Sequence, residues 1–402
     1  MNPSLIPTDS LLPRRRFLRV LGGSAIAAAL PLPLSGCQGT MPPEAIAAWQ
    51  GPAADEADLR RWALSWATLA PHSHNLQSWL VDLSRPGEIG LRCDATRLLP
   101  ETDPFSRQIM MSHGTFLELL DLAARERGQR CEVELFPEGA FGPERVDGRP
   151  VARIRLVPDA SVARDPLFAQ IPRRHTNRSA YDPARPVPAA AWQALAAAAR
   201  SPGLRFGWVG PDSTGGAEAL ARHRAIAQEA WRIEMVTPRT IMESYRVLRI
   251  GAEEVARHRD GLTVIDPMVE ALVKLGLFDR SHPPAPDSYV TKQQLQDFEG
   301  KITSTPGFFW MVSEGNDRAT QVNAGRAYAR VQLAATAAGL AVQPLQQALQ
   351  EYPEQAGPYA AIRALVEAPV PTHTVQMWAR IGHAPPVPPA PRRGLAAQIS
   401  AG

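Results

Sequence analysis

Two short polar segments, far apart in the chain, hold the side chains best suited to chemistry. They are Ala70-Pro71-His72-Ser73-His74-Asn75-Leu76-Gln77-Ser78-Trp79 and Arg173-Arg174-His175-Thr176-Asn177-Arg178. In the first, Pro71 stiffens the entry, and Ser73, Asn75 and Gln77 offer mixed donors and acceptors. An extended loop would point these alternate positions the same way, toward a flat ring whose edge alternates nitrogens with carbonyl oxygens. In the second, Arg174 and Arg178 are forked, permanent charges, and with the Thr176 hydroxyl they form the donor set that a phosphate monoester selects. Each such charge-assisted hydrogen bond contributes roughly 1.5–3 kcal/mol, so two or three would dominate the anchoring of a mononucleotide. A further basic pair, Arg392 and Arg393, sits in Pro-Pro-Ala-Pro-Arg-Arg-Gly-Leu.

Each segment also has a plainer reading. His72 and His74 form a His-x-His pair able to chelate a metal, although no third ligand of suitable spacing stands nearby. Ser73 or Asn75 could equally cap a helix, and an arginine cluster is often a solvated face.

The elements that must position these segments include an internal repeat. Aligned without gaps, residues 113–128 and 324–339 place Gly114, Leu122, Ala123, Ala124 and Gly128 on Gly325, Leu333, Ala334, Ala335 and Gly339. Both read as helices stopped by a glycine. Their small residues let them pack closely on each other or on a sheet. A strand-like run follows each, 131–136 and 341–345, so the chain reads as two copies of one α+β unit. Residues 59–69 form an amphipathic helix through Trp62, Trp66 and Leu69. Residues 151–157 alternate like a half-buried strand, and 189–200 make an alanine-rich helix. From 217 to 301 the chain is largely helical, with breaks at Asp260-Gly261 and Asp266-Pro267 and a loop at 282–287. This insertion either covers a cleft or is a structural excursion.

The N-terminus reads as a targeting segment. Arg14, Arg15, Arg16 and Arg19 form a twin-arginine block, and the apolar run 20–34 is shorter than the roughly 20 residues of a membrane-spanning helix. Leu34-Ser35-Gly36-Cys37 resembles a lipobox, in which Cys37 would become the acylated first residue and anchor the protein to a membrane. The expected division is 1–36 signal, 37–58 linker, 59–160 first unit and 161–402 second unit. Export would place the protein in the periplasm, and the twin-arginine route carries proteins already folded. Those four arginines against Asp9 account for the whole-chain net charge of +3. The remainder is near neutral and has no nucleic-acid footprint. Cys93 and Cys131 could pair or remain buried thiols.

Residues 70–79 resemble the Pro-Ser-Ser-x-Asn-x-Gln-Pro-Trp loop of the nitroreductase family of FMN oxidoreductases. Residues 174–178 with Tyr181-Asp182-Pro183 resemble its phosphate-binding segment. Residues 339–345 resemble its Gly-Leu-Gly strand entry, and Ile381-Gly382-His383-Ala384-Pro385 leading to Arg392 resembles its C-terminal strand and tail. The chain departs from the pattern at His72, where serine is common, and at Ser78, which replaces the proline before tryptophan. The match covers most of the chain after Leu59 and is similar in particular to the Acg-like single-chain branch, which looks like two fused units.

The resemblance implies an α+β nitroreductase-like fold, with two tandem units of mixed sheet flanked by helices forming an internal pseudo-dimer. It implies one FMN per monomer, held by Ser73, Asn75 and Gln77 from the first half and Arg174, His175, Thr176, Arg178, Gln343, Pro344, Arg392 and Arg393 from the second. The chemistry would be two-electron transfer to a small flat aromatic acceptor such as a nitroaromatic or quinone. No catalytic side chain and no electron donor can be named. An exported protein that stores flavin without turnover, or one whose site is empty, fits the same residues.

Overall fold

In the computed structural model, which describes residues 39–400, the first half runs α1 (Leu59–Ala67), β1 (Trp79–Asp82), β2 (Glu88–Cys93), α2 (Arg107–Glu126), β3 (Gln129–Leu135) and β4 (Pro150–Pro158). The second half opens with a 3-10 segment at Pro166–Arg173, then α3 (Ala189–Ala198) and β5 (Leu204–Val209). The insertion follows as α4 (Gly216–Val236), α5 (Pro238–Arg246), β6 (Leu248–Ile250), α6 (Gly251–His258), β7 (Leu262–Val264), α7 (Pro267–Lys274) and α8 (Tyr289–Thr303). The unit closes with β8 (Gly307–Glu314), α9 (Arg318–Ala337), β9 (Ala341–Pro344), α10 (Ala356–Leu365) and β10 (His373–Gly382). The signal-segment and Cys37 assignments lie outside the described residues.

The two repeat helices, α2 and α9, pack on each other at the centre. A Cβ on Gly114 would stand 1.9 Å from the Val322 carbonyl oxygen, and one on Gly325 would stand 1.9 Å from that of Met111. Only a missing side chain on each helix permits this approach, so the glycines paired in the sequence repeat face each other's backbone. Both helices end as read: Gly128 and Gly339 take φ of 64° and 69°, the left-handed stop that glycine adopts freely.

The repeat extends to the helix starts. Arg107 opens α2 and Arg318 opens α9 at equivalent positions, and both are buried. Arg107 donates to the Gln376 carbonyl at 3.2 Å and pairs with Glu351 at 3.2 Å, both in the second half. Arg318 donates to the carbonyls of Phe105 at 2.7 Å and Gly142 at 2.8 Å, both in the first. Each half thus satisfies exposed carbonyls of the other with a buried guanidinium.

Each half has a four-stranded antiparallel sheet, in the orders β1-β2-β4-β3 and β5-β8-β10-β9. Parallel character enters at isolated bridges, Val81 with Ile399 and Thr176 with Val342. The first is made by the C-terminal tail, which crosses to the first half and extends β1: Val81 donates to the Gln398 carbonyl at 2.8 Å, and Ser400 donates back to Val81 at 2.9 Å. The expected linker is also part of the body. Helical turns occupy Pro43–Ile46 and Ala47–Gln50, and the Trp49 indole donates to the Ala390 carbonyl at 2.7 Å. Cys93 and Cys131 are free thiols, and burial raises the Cys93 pKa to about 12.

Gly114→Ala or Gly325→Ala is expected to lower stability by about 3 kcal/mol or more, because the clash lies against backbone and only a helix shift relieves it. Urea denaturation checks this, and the same change at Gly357, where an added Cβ meets nothing within 4 Å, serves as the neutral control.

Candidate functional site

A cleft with ≈ 1420 Å³ of empty space, counted out to its open mouth, lies between the halves. The first half contributes Pro71, His72, Ser73 and His74 with Gln108, Met111, Ser112 and Thr115 from α2. The second contributes Thr176, Arg178, Tyr328, Gln343, Pro344, Gln346, Gln347, Gln350 and Met377, and the insertion forms the remaining wall. Of the residues expected to hold a cofactor, Ser73, Thr176, Arg178, Gln343 and Pro344 meet in this cleft. Asn75, Gln77, Arg174, His175, Arg392 and Arg393 are not in its lining and form a buried node outside it.

The first motif is not the extended loop that alternation suggests. Ser73–Asn75 is a 3-10 turn, and His74, Asn75 and Gln77 all take positive φ, 47°, 54° and 54°. Such conformations are uncommon for residues other than glycine and persist only where surrounding contacts hold them. The three side chains therefore diverge. Asn75 accepts from Arg392 at 2.6 Å and donates to the Pro391 carbonyl at 3.1 Å. Gln77 is fully buried, donating to the Arg259 carbonyl of the insertion at 2.9 Å and accepting from the Arg393 backbone at 2.9 Å. Ser73 remains toward the cleft with its hydroxyl 3.4 Å from Gln108 Oε1.

The two departures from the family pattern explain each other. Ser78 has a backbone N–H that proline would lack, and it donates to His72 Nε2 at 3.1 Å. His72 Nδ1 in turn donates to the Ser73 carbonyl at 2.8 Å, so both ring nitrogens are engaged in shaping the loop. A histidine at 72 supplies the acceptor that a non-proline residue at 78 requires.

The arginines divide into two groups. Arg174 and Arg392 are buried, and both donate to the Leu69 carbonyl, each at 3.2 Å. Arg174 also donates to Gln332 at 3.1 Å and Arg392 to the Ala70 carbonyl at 3.1 Å. All their acceptors are carbonyl or amide oxygens, and both guanidiniums lie near the Trp49 ring, 5.8 and 5.1 Å from its centroid. Burial lowers the Arg174 pKa to about 10 and that of Arg392 further, with each charge opposing the other at Arg392. His175 packs on Trp49 at 4.9 Å. Arg178 differs: its side chain is exposed, lines the cleft and makes no hydrogen bond among the described residues, while the protein packed around it lowers its pKa. Tyr328 stands near Arg174 and Arg178 with its hydroxyl buried and unpartnered.

Sequence reading missed Tyr328 and the insertion wall. On α4, Trp231, Glu234 and Met235 line the cleft at i, i+3, i+4; on α8, Gln294, Asp297, Phe298 and Lys301 do so at i, i+3, i+4, i+7. That spacing of aromatic and ionisable side chains on one helix face was the available signal. Glu234 is buried, accepts from Gln350 at 2.9 Å, and desolvation raises its pKa to about 7.

A putative NAD(P)H nitroreductase of Mycobacterium tuberculosis is 31% identical over 366 residues, covering 86% of this chain and 94% of its own length. The chain belongs to the nitroreductase family. A probable NAD(P)H nitroreductase of Serratia is 33% identical over 129 residues, 30% of this chain and 34% of the relative. No family model matches the chain. Among solved structures, the FMN-dependent nitroreductase NfnB of Mycobacterium smegmatis in complex with NADPH is 20% identical with a TM-score of 0.36, covering 58% of this chain and 96% of its own. In this nitroreductase the segments 70–79 and 173–178 come from opposite halves of one polypeptide: Arg174 reaches the Leu69 carbonyl just before the first segment, and Ser73 and Arg178 line the same cleft.

His72→Ser is expected to destabilise the protein by about 1–3 kcal/mol by orphaning the Ser78 N–H. Adding Ser78→Pro removes that donor and should recover more than half of the loss in a double-mutant cycle measured by urea denaturation. Acid should destabilise the fold as well. Burial pushes the pKa of His72 and His223 down to about 3 and those of His74, His113 and His175 to about 4, from 6.5. Their contribution is full above pH 6.5 and is lost as pH falls, because the unfolded chain takes up protons that the folded one refuses. Asp103, raised to about 6, and Glu234, raised to about 7, act in the opposite sense. Five histidines outweigh two carboxyls, so the thermal midpoint should fall between pH 6.5 and 4.5, and His72→Asn should flatten that dependence.

Proposed function

We propose that this chain is an FMN-dependent oxidoreductase that passes two electrons to flat aromatic acceptors such as nitroaromatics or quinones. One observation carries the reading: Arg178 is open to the cleft that the Ser73 turn also lines, with no ion pair among the described residues, near the buried, unpartnered hydroxyl of Tyr328. An accessible guanidinium without an internal counter-charge favours an anionic ligand, and a phosphate monoester offers both the charge and the acceptors. The residues present therefore fit the group that the family resemblance implies.

Arg178, Thr176 and Tyr328 would hold the phosphate. Arg174 and Arg392, fixed to carbonyls behind the wall, would add positive potential without touching it. Ser73 and Gln343 would meet the ring edge, while Met111, Pro344 and Met377 exclude water from its faces. When bound, FMN supplies hydride exchange at its ring. One chain furnishes both halves of the site, so a monomer suffices. The twin-arginine block and Cys37 support export and lipid anchoring in the periplasm; the relatives named as NAD(P)H nitroreductases support a nicotinamide donor, whereas an exported protein would draw on a quinol, a partner protein or another donor. The chain enters the described body nearby, at Gly39 against Ile265.

The native protein should be yellow, with about one FMN per chain by absorbance. Arg178→Ala should weaken FMN at least about tenfold, the loss of one or more charge-assisted hydrogen bonds, with smaller losses for Arg174→Ala and Arg392→Ala. Wild-type flavin affinity in Arg178→Ala would refute the phosphate assignment. Anaerobic mixing with NADH, NADPH or a quinol tests turnover; bleaching by dithionite alone, with no turnover of nitro or quinone compounds, would establish flavin storage instead.

A further inference from the structure

We propose that the insertion carries the subsite for the second substrate, and that Gln294 there reads a paired donor and acceptor, the edge of a lactam or imide, on a flat heterocycle. The inference rests on the oxidoreductase reading and names its substrate class.

Gln294 is 6% exposed, and neither its amide oxygen nor its amide nitrogen has a hydrogen-bond partner. The Tyr245 hydroxyl faces this amide without closing a hydrogen bond to it. A primary amide presents its oxygen and N–H₂ side by side in fixed geometry, complementary to a ring carbonyl next to a ring N–H. Against that wall, Gln350 is 3% exposed and donates to Glu234, while its own oxygen is also unpartnered. Two buried amide oxygens without protein donors favour a ligand that brings an N–H or O–H. Among flat acceptors of the quinone or nitroarene kind, one that also carries such a hydrogen beside a ring carbonyl is therefore selected over one that has acceptors alone.

The wall also fixes the ligand's shape. Trp231 and Phe298 stack with centroids 4.5 Å apart and an interplanar angle of 12°, giving a rigid apolar flank beside Gln294. Gln294, Phe298 and Lys301 project from one face of α8, and Glu234 and Met235 from the facing stretch of α4. None of these residues belongs to the segments that resemble the family's flavin-binding motifs. They line the same cleft as the Ser73 turn and α2, so a second molecule held by them would lie against a ring bound there.

The test is calorimetric titration of the FMN-loaded full chain with lumazine, which has N–H groups beside its ring carbonyls, and with 1,3-dimethyllumazine, in which methyls replace both of those hydrogens. Lumazine should bind at least about tenfold more tightly, and Gln294→Leu should erase the difference while FMN content stays at the wild-type level. Equal binding of the two probes, or a difference that survives in Gln294→Leu, would overturn the subsite. Loss of FMN from that variant would assign Gln294 to the flavin and overturn it too. Should the leucine variant fail to fold, Gln294→Asn withdraws the same amide by one methylene and is judged by the same criteria. If the wild type takes up no FMN, the oxidoreductase reading falls and the subsite, which rests on it, falls with it; FMN uptake with equal binding of the two probes overturns the subsite alone.

Discussion

The backbones of α2 and α9 approach as closely as a helix pair can, and the rest of the molecule is arranged around that contact. With Gly114 against Val322 and Gly325 against Met111, neither helix can rotate or slide without driving side chains into carbonyls. The cleft inherits this rigidity: Gln108, Met111 and Thr115 come from α2, and Tyr328 from α9. Arg107 and Arg318 at the helix starts cross-link the halves in both directions, so the cleft floor behaves as one body although its residues are far apart in sequence.

Around that floor the protein holds charges in an unusual balance. Arg174 and Arg392 are buried together on neutral oxygens, and the neighbouring histidines are kept uncharged. The result is a basic cluster behind a cleft where Arg178 and Lys301 on the lining face the carboxyls of Glu234 and Asp297.

Much of this was legible in the sequence. The repeat glycines announced the helix crossing because no other residue tolerates it, and the glycine stops after residues 127 and 338 fixed where strands begin. The two polar motifs were legible as donor sets, but not their geometry. Positive φ at His74, Asn75 and Gln77 depends on contacts from the tail and the insertion, which no local pattern encodes. The His72 and Ser78 substitutions read separately as departures from a family loop; only the three-dimensional hydrogen bond shows them to be one feature. The small parallel pair β6 and β7 was missed because strands of three residues leave no periodicity to read. The insertion wall was missed because its polar residues sit on helices whose faces acquire meaning only when a cleft opens beside them.

The C-terminal tail has a consequence for how the molecule is made. Residues 398–400 complete the edge of a sheet whose other strands were synthesised far earlier, and Ala390 receives the indole of Trp49 from near the other end of the described chain. Until residues 390–400 have emerged, β1 lacks its tail partner and Asn75 has no Arg392 to hold it. The 73–77 turn therefore takes its final form only once the tail has been made.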